Sequence, residues 1–154
     1  VIMGGARGQG NITPSAEFNI YVDPHAAHVV LSADIPTTLI TLDVTHQVLT
    51  TPERLNRIRA IGNDVSAAAA GMLDFYGQQD SALYDPCVLA YLHNPDLFTT
   101  RKVDVAVETM GDRTLGRTVI DWYGKGQNST IQVAESVDAD GLYQLLIDSL
   151  SRFS

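Results

Sequence analysis

The sequence predicts an α/β layer fold, in which helices pack against a β-sheet. Runs rich in β-branched residues, which predict strands, include Thr38 to Val44 and alternate with helix starts such as Asp23-Pro24 and Thr51-Pro52-Glu53. The 154 residues are 45% hydrophobic and 18% charged, which is the balance of a globular chain long enough to bury a core. This order of elements favours an α/β layer fold over a helical bundle or a barrel.

The chain begins with a short predicted strand followed by a loop. Val1-Ile2-Met3 is an apolar run that stops at Gly4-Gly5, as a buried strand does where it enters a loop. A strand at the first residue suggests that the chain was cut inside a sheet. Residues 6 to 15 are rich in Gly, Asn, Thr and Pro, which predicts a loop. Asp23 then caps a helix that runs to about Ser32.

Helices fill the middle of the chain, and strands return towards its end. Thr51-Pro52 starts a helix that ends near Gly62-Asn63, and Asp85-Pro86 repeats this capping signature. The last two predicted strands are separated by Gly124-Lys125-Gly126, and the last three could form a hairpin or meander at a sheet edge. The further predicted elements are helices at Asp64 to Tyr76, Cys87 to Leu92 and Asp138 to Ser151, and strands at Lys102 to Glu108, Thr118 to Trp122 and Ser129 to Val137.

Charge and cysteine content exclude several classes of function. The net charge is -8, and the ten Lys and Arg residues are scattered, which is unlike a surface that binds nucleic acid. No apolar run approaches the roughly 20 residues that cross a bilayer, so we expect no membrane span. The single cysteine, Cys87, cannot form an internal disulfide, which fits the reducing cytoplasm.

The densest group of polar residues is Asn11, Thr13, Glu17 and Asn19, in the region directly before the helix that Asp23 caps. Loops in α/β proteins often carry ligand-binding groups. A carboxamide carries donors and an acceptor, and a carboxylate accepts from hydroxyls, so this set suits the vicinal diol of a sugar. The alternative is that Asn11 and Asn19 only stabilise turns, through local bonds to the backbone.

Consecutive blocks along nearly the whole chain carry a resemblance to a known family. The first blocks are Val1 to Ala6, Gly10 to Pro14, Ala16 to Ile20 and Asp23-Pro24 with Ala26-Ala27, and the later ones are Leu42 to Thr45, Asp85 to Cys87, and Val107-Glu108 with Gly111 through Val119. Together they resemble the inosine-uridine type of nucleoside hydrolases, in the C-terminal half. The resemblance implies a mixed, mostly parallel sheet with flanking helices and hydrolysis of the N-glycosidic bond of purine or pyrimidine ribonucleosides. It also implies a homodimer or homotetramer, with residues 1–154 as the C-terminal part of one domain whose N-terminal half is absent.

The resemblance also implies roles for individual residues. Asn11, Glu17 and Asn19 would hold the ribose hydroxyls, and Met3 and Phe18 would line the substrate pocket. Asp85 would be a ligand of an active-site calcium ion, which takes about 6 to 8 oxygen ligands. The family takes most of these ligands from a motif of the form Asp-x-Asp-x-x-x-Asp-Asp, which this sequence does not contain. We therefore expect the 154-residue chain to be inactive by itself.

Tyr84 departs from the family pattern. Directly before the calcium-binding Asp many members have a histidine that protonates the leaving base, and this chain has Tyr84 there. The tyrosine could donate a proton, although it is a weak acid near neutral pH, or its ring could stack on the base; it could also be an ordinary half-buried aromatic residue. Of the four histidines, His46 is the first to test, because strand ends border active sites in α/β folds.

The rival interpretation is a non-catalytic sugar- or nucleoside-binding module, or an interaction subunit that pairs with a separate N-terminal chain.

Asp85 has an alternative to the metal role. An isolated Asp-Pro such as Asp85-Pro86 most often caps a helix, so Asp85 could be only a helix cap.

Overall fold

A computed structural model describes residues 1–124 and 130–153 of the chain. The chain divides into two compact units. The first unit comprises Val1–Val44 with Phe98–Ser136, and the second comprises Thr45–Leu97 with Val137–Ser154. The chain combines a mostly parallel sheet with helices that come before, between and after its strands, so the prediction of an α/β fold is confirmed.

The first unit is built on a mostly parallel sheet. Within the described residues this sheet has four strands in the order β1, β2, β6, β3, and β1 pairs in parallel with β2, which in turn pairs in parallel with β6. A separate antiparallel pair joins β4 to β5. The strand bounds are β1 Ile2–Met3, β2 Thr37–Ile40, β3 Phe98–Lys102, β4 Val105–Val107, β5 Thr118–Ile120 and β6 Ile131–Val137.

Two helices pack in the first unit and precede its central strand. Helix α1 spans Phe18–Val22, and helix α2 spans Pro24–Ser32, as Asp23-Pro24 predicts. The carboxylate of Asp23 accepts a hydrogen bond from the backbone N–H of Ala26 at 2.9 Å, which satisfies a free donor of the first helical turn. The apolar side chains of these elements meet in one core, which includes Ile20, Leu31, Leu39, Val107, Ile131 and Val133.

Two strand predictions need correction. The predicted strand Thr38 to Val44 ends at Ile40, and the short helix α3 spans Leu42–Thr45, because the N–H of Val44 turns back to the carbonyl of Thr41 at 3.0 Å. Leu42 and Val44 are buried in this helical turn, so tertiary packing overrides their strand propensity. Of the last three predicted strands, the first two contribute β4 and β5, which pair antiparallel as predicted for a hairpin. The third, β6, joins the parallel sheet, so the three do not form a meander. Most of the predicted turn at Gly124-Lys125-Gly126 lies outside the described residues.

The second unit is helical, and side-chain caps begin most of its helices. Thr51 accepts from the N–H of Arg54 at 3.2 Å, Asn63 from that of Ser66 at 2.7 Å, and Asp138 from that of Gly141 at 3.0 Å. The Tyr143 side chain is fully buried, and its hydroxyl lies 2.6 Å from the hydroxyl of Thr50. The helix bounds are α4 Pro52–Arg59, α5 Asp64–Gly77, α6 Pro86–His93 and α7 Ala139–Leu150.

Among the described residues, every helix is too short or too polar to span a lipid bilayer.

Candidate functional site

The carboxylate of Glu17 organises the loop that follows β1. Although Glu17 is charged, its side chain is only 2% exposed. One carboxylate oxygen, Oε2, accepts from the backbone N–H of Gly5 at 2.9 Å and of Ile20 at 3.3 Å, and Oε1 accepts from that of Asn19 at 2.9 Å. A buried carboxylate is stable when backbone N–H groups surround it in this way. Glu17 therefore ties the end of β1 to the start of α1.

Two more side chains hold the same loop from other directions. The hydroxyl of Thr118 accepts from the N–H of Ala6 at 2.9 Å and donates to the carbonyl of Ala6 at 2.8 Å. The carboxylate of Asp43 accepts from the N–H groups of Arg7 and Gly8 at 2.7 Å and 3.1 Å. Residues 5 to 8 are thus fixed by contacts with residues far away in the sequence.

Gly5 is required where the loop meets Thr118. Its φ angle of 78° is in the left-handed region that favours glycine. A Cβ atom at this position would lie 2.8 Å from Cγ2 of Thr118, so a larger residue would push the hydroxyl of Thr118 away from Ala6. The conformation of the loop and its anchoring therefore depend on the same glycine.

Asn11 begins a compact turn that leads into α1. Its Oδ1 accepts from the N–H of Phe18 at 2.9 Å. The carbonyl of Ala16 faces the N–H groups of residues 11 to 13 at 3.1 to 3.4 Å, and the hydroxyl of Thr13 accepts from the N–H of Ala16 at 2.9 Å. Asn11 therefore makes a local hydrogen bond to the backbone, as predicted for an asparagine that stabilises a turn. Its Nδ2 group takes no part in that bond.

Asn19 connects this segment to the end of β1. Its Nδ2 group lies 3.2 Å from the carbonyl oxygen of Met3 and 3.3 Å from the Met3 sulfur, while its Oδ1 takes no part in either contact. Met3 is 8% exposed and Phe18 is 52% exposed. The structure thus brings together all five of the predicted substrate-binding residues, which are Met3, Asn11, Glu17, Phe18 and Asn19.

Tyr84, the predicted catalytic residue, lies in the second unit within a small polar cluster. Its hydroxyl donates to the carboxylate of Asp80 and lies 3.2 Å from Nε2 of His46. The ring of His46 meets that of Tyr84 edge to face at a centroid distance of 5.9 Å, and the ring of Tyr76 does so at 6.5 Å. Tyr84 is half-buried, and His46 is exposed.

A short antiparallel backbone pairing around Leu49 and Ala82 brings His46 and Tyr84 together. The N–H of Leu83 donates to the carbonyl of Val48 at 2.8 Å, and the N–H of Thr50 donates to the carbonyl of Ser81 at 2.6 Å. Val48 and Leu83 are both buried, which fixes this pairing in the interior of the second unit. His46 precedes one paired segment and Tyr84 follows the other, so the two residues lie at the same end of the pairing, where their side chains meet.

Asp85 starts helix α6 without capping it. Its backbone is in the right-handed helical region, and its side chain makes no capping hydrogen bond, so the alternative role of Asp85 as a helix cap is wrong. The carboxylate is exposed. Among the described residues, no group of three or more His, Cys, Asp or Glu side chains is placed to hold a metal ion.

Cys87 plays no part in nucleophilic chemistry. Its side chain is fully buried, and its thiol donates to the carbonyl of Leu83 at 2.8 Å. Burial, with a smaller contribution from the Asp85 carboxylate, raises the pKa of the Cys87 thiol to about 12. The thiol is therefore protonated at neutral pH, where only a thiolate would be reactive.

Sequence reasoning missed several contacts of these sites. The pattern of residues gave no sign that Thr118 and Asp43 hold the loop after β1, because both lie far from it in sequence. The sequence pattern assigns no role to Asp80, whose carboxylate accepts a hydrogen bond from the hydroxyl of Tyr84. Its separation of four residues from Tyr84 is the one local signal that could have indicated this contact.

The chain matches the family model described as inosine-uridine preferring nucleoside hydrolase over residues 1–144. It is 44% identical over 164 aligned positions to the pyrimidine-specific ribonucleoside hydrolase RihA of Shewanella woodyi, and 46% identical over 166 positions to the RihA of Escherichia coli. Each alignment covers 100% of this chain and 53% of the relative. The chain thus spans about half the length of the curated relatives that it matches.

The comparison with solved structures agrees with the family match. The fold is similar to that of a purine-preferring ribonucleoside hydrolase from Gardnerella vaginalis, with a TM-score of 0.84 and 31% sequence identity. The superposition covers 99% of this chain and 52% of the solved one.

Replacing Glu17 tests its role as the organiser of the loop after β1. We expect Glu17→Ala to lower the free energy of unfolding of the complete protein by about 2 to 4 kcal/mol, because it leaves buried N–H groups without an acceptor. Glu17→Gln should lose less, since its carboxamide oxygen still accepts. Urea denaturation measures both changes, and Glu53→Ala, at an exposed position of α4, is the control that should change stability by under about 0.5 kcal/mol. Equal small losses for both Glu17 variants would contradict this role.

Proposed function

Because this chain belongs to the family of inosine-uridine preferring nucleoside hydrolases, we propose that the complete protein hydrolyses the N-glycosidic bond of ribonucleosides to ribose and free base. The observation that carries this proposal is the anchored segment from β1 to α1, which lies inside the matched residues and holds Asn11, Glu17 and Asn19 close together. We propose further that pyrimidine ribonucleosides are the preferred substrates. The relatives at 44% and 46% identity are pyrimidine-specific, whereas the purine-preferring enzyme shares 31%.

Asn11, Glu17 and Asn19 form the proposed ribose-binding group. Ribose hydroxyls donate and accept hydrogen bonds, and the Nδ2 of Asn11 and the Oδ1 of Asn19 are the amide atoms that the contacts described above leave unused. The carboxylate of Glu17 would accept from a hydroxyl and would favour the positive charge that develops on the sugar as the bond to the base breaks. Met3 and Phe18 would supply the apolar lining. Because backbone contacts fix these groups in advance, little ordering would accompany substrate binding.

Asp85 is the proposed calcium ligand of this chain. An exposed carboxylate that does not cap its helix is available to a hard cation, which prefers oxygen ligands. The remaining ligands would come from residues outside this chain, and we propose that residues 1–154 are the C-terminal part of one domain of a protein about twice as long. When bound, the ion would supply an activated water.

Tyr84 is the proposed contact with the leaving base. It stands where many family members have a proton-donating histidine, and its aromatic ring offers a surface on which a base can stack. We also propose a cytoplasmic location, which the one free and buried cysteine fits, and assembly into a homodimer or homotetramer. Light scattering of the complete protein would give the number of subunits.

A nucleoside panel tests the proposed reaction. Purified complete protein should release base from uridine and cytidine faster than from inosine, and a calcium chelator should abolish the release. The 154-residue chain, assayed beside it, should release no base, because it lacks the Asp-rich motif. Binding of nucleosides without release of base by the complete protein would favour the non-catalytic module instead. Calcium-dependent release by the 154-residue chain would overturn its predicted inactivity.

Asn19→Ala tests the ribose contact in the complete protein. We expect substrate binding to weaken by about 1 to 3 kcal/mol, the usual effect of losing a buried hydrogen bond to the ligand. Steady-state kinetics with uridine measures the change, and Asn56→Ala, on α4 in the second unit, is the matched control that should leave the kinetics unaltered. Unchanged kinetics for Asn19→Ala would argue against its contact with ribose.

A further inference from the structure

Two polar groups of the second unit lie within hydrogen-bonding distance of the Tyr84 hydroxyl. One is the carboxylate of Asp80, which accepts from the hydroxyl through Oδ2, and the other is Nε2 of His46 at 3.2 Å. Asp80 is itself held in place, because its Oδ1 accepts from the N–H of Ala82 at 2.9 Å. The three side chains form a hydrogen-bonded chain in the order Asp80, Tyr84, His46.

The direction of each hydrogen bond follows from which of the two groups carries a hydrogen. An ionised carboxylate only accepts, so the single proton of the Tyr84 hydroxyl points to Asp80. Towards His46 the phenolic oxygen is therefore an acceptor, and Nε2 of His46 carries the donated hydrogen. Asp80 thus sets the orientation of the Tyr84 hydroxyl, and Tyr84 sets the tautomer of His46.

This arrangement bears on the proposed reaction. A hydroxyl that donates its only proton to a carboxylate and accepts from an imidazole has no second proton for a leaving base. What Tyr84 presents to the base is then its aromatic ring, whose position is fixed at one end by the two hydrogen bonds and on one side by the ring of Tyr76.

We propose that Asp80 and His46 are positioning residues that fix Tyr84 through its hydroxyl, and that Tyr84 contacts the leaving base through its ring and does not protonate it. This inference rests on the proposed nucleoside hydrolysis for its kinetic consequences. The hydrogen-bonded chain itself can be tested without any activity.

The kinetic test compares single and double variants of the complete protein with uridine. We expect Tyr84→Phe, His46→Ala and Asp80→Ala each to lower kcat by a similar factor of about 3 to 10, because each releases the same hydroxyl contact. Tyr84→Phe combined with His46→Ala should be no slower than Tyr84→Phe alone. Asp80→Asn should recover most of the loss, since its carboxamide oxygen still accepts the phenolic proton. His93→Ala, an exposed histidine of α6 outside the cluster, is the control that should leave kcat unchanged.

Two kinetic results would overturn the proposal. A loss above about 10-fold for Tyr84→Phe alone would mean that the hydroxyl takes part in the chemistry, since removal of a general acid costs about 100-fold or more. Losses that multiply in the double variant, or that are absent from all three single variants, would mean that His46 and Asp80 do not act through Tyr84.

Nitrogen-15 NMR of the histidine rings tests the hydrogen-bonded chain separately. His46 should carry its hydrogen on Nε2 in the unaltered protein and become a mixture of tautomers in Tyr84→Phe. A mixture already present in the unaltered protein would overturn the arrangement. A complete protein that hydrolyses no nucleoside would refute the proposed function, and the NMR result would still decide the inference about Asp80 and His46.

Discussion

The buried carboxylate of Glu17 is the constraint on which the first unit depends. Leaving a charged group 2% exposed is unfavourable unless it is surrounded by donors, and here backbone N–H groups from both sides of a loop supply them. Because these donors belong to the end of β1 and the start of α1, one side chain sets the distance between the two elements. Thr118 and Asp43 then fix the rest of the loop. The result is a rigid segment that carries two exposed carboxamides, as a binding site for a polyhydroxylated ligand requires.

In the second unit, the side chain that packing and hydrogen bonds hold in place is that of Tyr84. Tyr84 lies at the end of a paired backbone segment and beside the start of α6, so its position is determined by packing as well as by its hydrogen bonds. Under the proposed function, a tyrosine whose proton is directed to Asp80 would contact the leaving base through its ring. Asp85 follows directly, with a carboxylate that does not cap its helix.

The sequence predicted much of this structure, and the failures have physical causes. Helix starts were predictable at Asp23, Thr51 and Asp138, because a cap and its partner lie three residues apart and need no distant contact. The end of β2 at Ile40 was not predictable, because burial of Leu42 and Val44 is decided by tertiary packing. Family resemblance selected the five residues predicted to bind substrate, and the structure places them close together. It could not reveal that Glu17 also anchors the loop, because Gly5, one of its partners, is distant in sequence.

We propose that the segment from Met3 to Asn19 recognises the hydroxyls of ribose. The most direct measurement is kcat/KM of the complete protein for uridine compared with 2′-deoxyuridine and 3′-deoxyuridine. A site built to hydrogen-bond these hydroxyls strongly rejects an analogue that lacks one, so we expect losses of at least about 100-fold. Values for the three nucleosides that agree within about 3-fold would contradict the claim, because a segment that bound the diol could not ignore the removal of either hydroxyl.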